Sequence, residues 1–148
     1  MTKVPNHPWI NTSEAPLYVL TYPSHDSADE KQTKRCTDLN IKLYQELERW
    51  TREVNEPYVF IVDLSQAHSS PMNRQRAAEY LERIKKRGNS QLAGRAFITP
   101  DNEKKGIVTA VFWISSPDYP HEFFVELTSA KTWGWTRLAE ATIKKRQG

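Results

Sequence analysis

The chain is poor in the residues that announce most chemistries. Cys36 is the one cysteine in 148 residues, so no internal disulfide can form and folding in a reducing cytoplasm is expected. The five glycines are dispersed, without Walker or dinucleotide spacing, so nucleotide dependence is not expected. His7, His25, His68 and His121 are scattered, with no pair at i and i+4 and no second ligand near Cys36. That pattern speaks against zinc, and neither a metal nor any other cofactor is expected. Excess charge is small: a net +3 is too little to indicate nucleic acid by itself. Apolar runs fall far short of the roughly 20 residues that span a bilayer. The opening residues carry Pro5, Pro8 and Pro16 and no long apolar stretch, so neither a leader nor a membrane span is expected.

What is present is the pattern of one α/β domain over 1–148, with an N-terminal arm (1–8) and a basic tail (142–148) whose last residues, 144–148, are expected to fray. Trp9 and Ile10 suit a short edge strand, and Glu14-Ala15-Pro16 a turn. Leu17-Tyr18-Val19-Leu20-Thr21-Tyr22 reads as a strand stopped by Pro23. Ser27 followed by Glu30 has capping-box spacing. The helix beyond it has an apolar face of Cys36, Leu39, Leu43, Leu47, Trp50 and Val54, closed by Pro57. Tyr58-Val59-Phe60-Ile61-Val62 is the central strand, buried on both faces. It ends in Asp63-Leu64-Ser65 and leads through a polar turn to a helix with Ser70 as N-cap and Pro71 at the first position. Ala77, Leu81 and Ile84 form that helix's buried stripe, and Gly88 is expected to close it. Gly94-Arg95-Ala96-Phe97-Ile98-Thr99 reads as a third strand.

Residues 107–114 carry β-branched composition, yet Ile107, Val108, Val111 and Phe112 also fit one helical face. A helix is chosen because it keeps the β-α alternation. His121 to Leu127 (121–127) reads as a strand, and Ser129 as the cap of a last helix whose apolar face is Ala130, Trp133, Leu138 and Ala141. Such alternation implies a mixed, mostly parallel sheet of four or five strands with four helices packed on it.

This pattern resembles the STAS domain, the anti-sigma-factor-antagonist type, and more specifically the bacterial STAS/SEC14-like branch. The likeness is carried by Asp63-Leu64-Ser65 followed by Asn73-Arg74-Gln75-Arg76-Ala77-Ala78. It continues in Gly94-Arg95-Ala96-Phe97-Ile98 leading to Ala110-Val111-Phe112-Trp113, and in Tyr119-Pro120-His121 with Ala130 and Trp133. It implies four helices on a mixed sheet and a role in protein–protein regulation and signalling, or in binding a small apolar ligand. In signalling members a serine at the start of the helix after the central strand is phosphorylated, which points to Ser69 or Ser70. The family's Asp-Ser-Ser-Gly is replaced here by His68-Ser69-Ser70-Pro71, in a shorter loop.

The first functional expectation is a non-catalytic regulatory or scaffolding module. It would act on an unidentified protein partner, or on itself as a homo-oligomer, through the loop–helix edge 66–76. Asp63, Ser65, His68, Ser69, Ser70, Asn73, Arg74 and Arg76 are its candidate residues. The second is an apolar-ligand cavity lined by Phe112, Trp113, Tyr119 and Phe123, with Trp135 near, because aromatics suit both pockets and partner surfaces. A hydrolase built on His68 and a nearby serine lacks a Gly-x-Ser-x-Gly elbow and would need His68 within about 3 Å of a serine oxygen. Asp63 at a strand end more often ties down the following loop. The basic residues Arg74, Arg76, Arg83, Lys85, Lys86 and Arg87 are interspersed with Glu79 and Glu82, as on a solvated helix face rather than a phosphate-binding stripe.

Overall fold

The computed structural model describes residues 3–68, 70–87 and 91–147. Their order is β1 (Ile10–Asn11), β2 (Leu17–Thr21), α1 (Glu30–Glu53), β3 (Tyr58–Asp63), α2 (Pro71–Lys86), β4 (Leu92–Ile98), α3 (Asn102–Ile114), β5 (His121–Phe124) and α4 (Leu127–Gln147). The strands lie side by side in sequence order; β1 is antiparallel to β2, and β2 to β5 are parallel. The expected α/β architecture is present. Among the described residues no helix is long and apolar enough to cross a membrane.

Side-chain alternation divides the core in two. Tyr18, Leu20, Tyr58, Phe60, Val62 and Phe97 point to the face covered by α1, α2 and α3. Leu17, Val59, Ile61, Ala96 and Ile98 point to the opposite face, where Ala130 and Leu138 of α4 meet them. Three crossovers in one direction along a parallel sheet put α1, α2 and α3 on the same side, as a constant hand requires. The helix after the last strand is free of that constraint and covers the other side.

The two faces differ in closeness. The α4 backbone runs against β2 to β5, whereas α1 and α3 each approach α2 more closely than any of the three approaches the sheet. Small residues explain the first. A Cβ at Gly134 would lie 3.0 Å from Leu17 Cδ1 and 3.1 Å from Val59 Cγ1; one at Gly94 would lie 2.7 Å from Trp133 Cη2. Aromatic rings explain the second. Trp50 stands edge-on to Tyr58 and Tyr18, with centroids 4.7 and 5.3 Å away, and props α1 off the sheet. The helices then hold each other: Tyr44 packs on Tyr80, Arg83 pairs with Glu48, Arg87 donates to Thr51 Oγ1 at 2.6 Å, and Ser115 donates to Glu82 at 2.7 Å.

Several boundaries differ from expectation. Asp29, not Ser27, caps α1, accepting from Lys31 N and Gln32 N; a carboxylate also complements the positive end of the helix dipole. The buried residues of α2 are Ala78 and Tyr80, while Ala77, Leu81 and Ile84 are half-buried. Strand β5 stops at Phe124 and α4 begins at Leu127, so Ser129 lies inside the helix. Helix α4 runs through Gln147 into the basic tail, where Lys145 Nζ donates to Asn55 O at 2.5 Å. The N-terminal arm is likewise tied down, with Trp50 Nε1 donating to Lys3 O and His7 Nε2 2.8 Å from Leu39 O. Gly88 lies outside the described residues. The helix chosen for 107–114 is present as α3, started by Asp101, whose side chain accepts from Lys104 N.

Candidate functional site

Holding the helices off the sheet leaves space. A cavity of about 390 Å³ lies between the sheet and the α1–α3 layer. Its floor is Leu20, Val62 and Phe97 of the strands; its walls include Leu47 and Tyr44 of α1, Tyr80 and Ala77 of α2, and Val108 and Phe112 of α3. That volume falls in the range of small-molecule sites, and so does a mostly apolar lining with a few polar groups.

One of those polar groups is a cation. Arg95 sits in the middle of β4 opposite Phe60 on one neighbour and His121 on the other, and alternation sends its side chain with Phe97 to the cavity face. Its guanidinium carbon lies 5.7 Å from the Phe60 centroid and 5.4 Å from that of Tyr119. No carboxylate pairs with it among the described residues, and its Nε is buried without a hydrogen-bond acceptor. The phenols around it are not counter-ions. Burial pushes Tyr58 up to about 12 and holds Tyr22, Tyr44, Tyr80 and Tyr119 above the ordinary tyrosine value, so at neutral pH all five are uncharged. Arg95 is half-buried with only its Nε fully enclosed, so its charge is partly desolvated, and two cation–π contacts at about 0.5–2 kcal/mol each offset part of that cost.

The loop between β3 and α2 forms part of the rim. Asp63 Oδ1 accepts from Ser65 N at 3.0 Å and Ser65 Oγ at 2.6 Å, so this pair fixes the loop's departure. Lys104 Nζ of α3 donates to Ala67 O at 2.6 Å and holds its middle. Ser70 Oγ accepts from Asn73 N at 3.1 Å as the helix cap, worth about 1 kcal/mol. Arg76 donates to Asn73 Oδ1 at 3.2 Å. His68, Ser70, Asn73, Arg74 and Arg76 all contribute to the cavity lining, so these residues of the expected outer edge also border the cavity. Ser69 lies outside the described residues. Across the rim, His25 of the β2–α1 loop meets His68 edge-on at 5.1 Å. Among the described residues His68 has no hydrogen bond to Ser65 or Ser70, whose hydroxyls serve Asp63 and the helix cap.

Of the four aromatic candidates, Phe112 and Tyr119 line the cavity. Phe123 does not; it packs against Phe97 at 5.7 Å under Lys105 Nζ. Trp113 is 85 % exposed and points away, because the helical period carries it off the face that buries Val108 and Val111. Arg95, Tyr80, Tyr44 and Asn40 were not anticipated. An arginine inside an otherwise apolar strand was the available signal for the first of them. Burial raises the thiol pKa of Cys36, another lining residue. The basic residues of α2 are partly engaged within the fold, Arg83 and Arg87 with α1 and Lys85 with Ser116 O.

Compared with protein-family models, curated proteins and solved structures, the chain gives no match.

Proposed function

We propose that the protein is a non-catalytic, cytoplasmic binding module of STAS/SEC14-like type that holds a small, largely apolar ligand between its sheet and its α1–α3 layer. The observation that carries this reading is the cavity of about 390 Å³, floored by Leu20, Val62 and Phe97 and walled by apolar side chains of α1, α2 and α3. A second reading keeps the regulatory role: a protein partner, or a second copy, docks on the loop–helix edge 66–76. It is favoured by Met72, which is 64 % exposed on the rim, since methionine suits adaptable binding surfaces. On this view filling the cavity would alter the edge that the partner reads.

The test uses 1-octanol as a neutral apolar probe, followed by amide chemical shifts. The expected result is saturable shifts clustered at Leu20, Val62, Phe97 and Val111. These shifts should vanish in Ala77→Trp, which fills the space from α2 while the protein stays folded. Shifts that never saturate, or that persist unchanged in Ala77→Trp, would sink the cavity reading.

A further inference from the structure

The cavity collects unmet polar groups. Seven buried side-chain polar atoms lack a hydrogen-bond partner among the described residues, and five of them belong to cavity-lining residues: His25 Nδ1, Thr33 Oγ1, Asn40 Oδ1, Arg95 Nε and Tyr119 OH. Native interiors satisfy most such groups, so their convergence on one space marks where a partner belongs. Two of the five, Arg95 and Tyr119, are in mutual contact and are both donors in want of an acceptor.

Resting on the proposal that the cavity holds an apolar ligand, we infer that this ligand is a monocarboxylate amphiphile, its carboxylate received by Arg95 with Tyr119 and its apolar body laid over Leu20, Val62 and Phe97. The guanidinium fork offers parallel N–H groups that match the two oxygens of a carboxylate, and the partly desolvated, mostly apolar surroundings strengthen that pairing. Tyr119 remains a donor at neutral pH because burial raises its pKa. A neutral ligand would leave Arg95 as it is now, without a counter-charge. A free small anion would leave the apolar floor uncovered. An apolar chain ending in a carboxylate satisfies both at once.

The experiment is calorimetric titration of the full chain with octanoate and with 1-octanol, which share a chain length and differ in charge. Wild type is expected to bind octanoate at least tenfold more tightly. In Arg95→Met, which keeps the stem and removes the charge, the two affinities should become equal, while Arg95→Lys should retain part of the preference. The melting midpoint of Arg95→Met is expected within about 5 °C of wild type, because no ion pair is broken by the change. Equal affinities in wild type would overturn the carboxylate assignment and leave the cavity reading intact. A preference that survives Arg95→Met would overturn the role of Arg95. Saturable binding of neither compound would overturn the cavity reading and this inference with it.

Discussion

The two faces of the sheet solve the same problem in opposite ways. On one, Gly94, Ala96, Ala130 and Gly134 remove side-chain bulk so that α4 lies against the strands and the layer is filled. On the other, Trp50 of α1 meets the rings of Tyr18, Tyr58 and Phe60 edge-on. Farther along that face the spacing persists without enough side chain to fill it. Close approach there gives rigidity, and stand-off here gives a chamber. The side that holds the cavity is the side with the large aromatic rings. Large rings set a distance between layers, and shorter neighbours then leave it open.

Trp50→Ala should have the largest effect. Trp50 is fully buried, and its ring nitrogen donates to Lys3 O, so truncation removes both a spacer and the tie to the N-terminal arm. A loss of about 3–5 kcal/mol is expected in urea denaturation; a loss below about 1 kcal/mol would show that α1 is not propped by aromatic packing. Gly94→Ala tests the opposite face. Its new Cβ would collide with the Trp133 ring, at a cost of about 1–3 kcal/mol, whereas Ala77→Val on the cavity wall should cost under about 1 kcal/mol. Equal costs would erase the contrast between the faces.

The smallest expected effect concerns the arm that holds α1. Burial lowers the pKa of His7, outweighing its bond to Leu39 O and the attraction of Glu46, with Lys42 adding to the lowering. The folded protein therefore binds fewer protons here than the unfolded chain does. The contribution of His7 is complete above the unfolded histidine value, about 6.5, and is lost as pH falls through it toward the depressed folded value. Thermal midpoints should drop between pH 7.5 and 5.5, and His7→Gln should flatten that slope by a few degrees at most.

The layered architecture was legible because its signals are local and redundant. The run from Tyr58 to Val62, Pro71 behind Ser70, and the alternation of strands with helices agree with one another. The choice of a helix for 107–114 followed from that alternation, and the cap Asp101 supplies its local reason. Misreadings came where two caps compete. Ser27 and Ser129 have the right side chains, but Asp29 accepts two N–H groups and α4 starts two residues before Ser129. The candidate site was half legible. Periodicity placed Phe112 inward, whereas Trp113 was grouped by composition, and the helix turns it out to 85 % exposure. The role of Arg95 is not legible in the sequence because a strand residue's surroundings depend on what three distant helices do above it. The loop 66–76 reads from its sequence as an outer surface; that it also borders a chamber depends on the height of α1 to α3, which no local pattern encodes.

That height has a mechanical consequence. The α1–α3 layer touches the sheet through side-chain tips and an open chamber, and α4 touches it through backbone-close contacts. Applied hydrostatic pressure acts on whichever arrangement holds eliminable volume. Compression should therefore be lopsided, moving the α1–α3 side toward the strands while α4 stays in place. The structure is a vessel with one stiff wall and one soft wall, and a molecule that fills it would stiffen the soft wall alone.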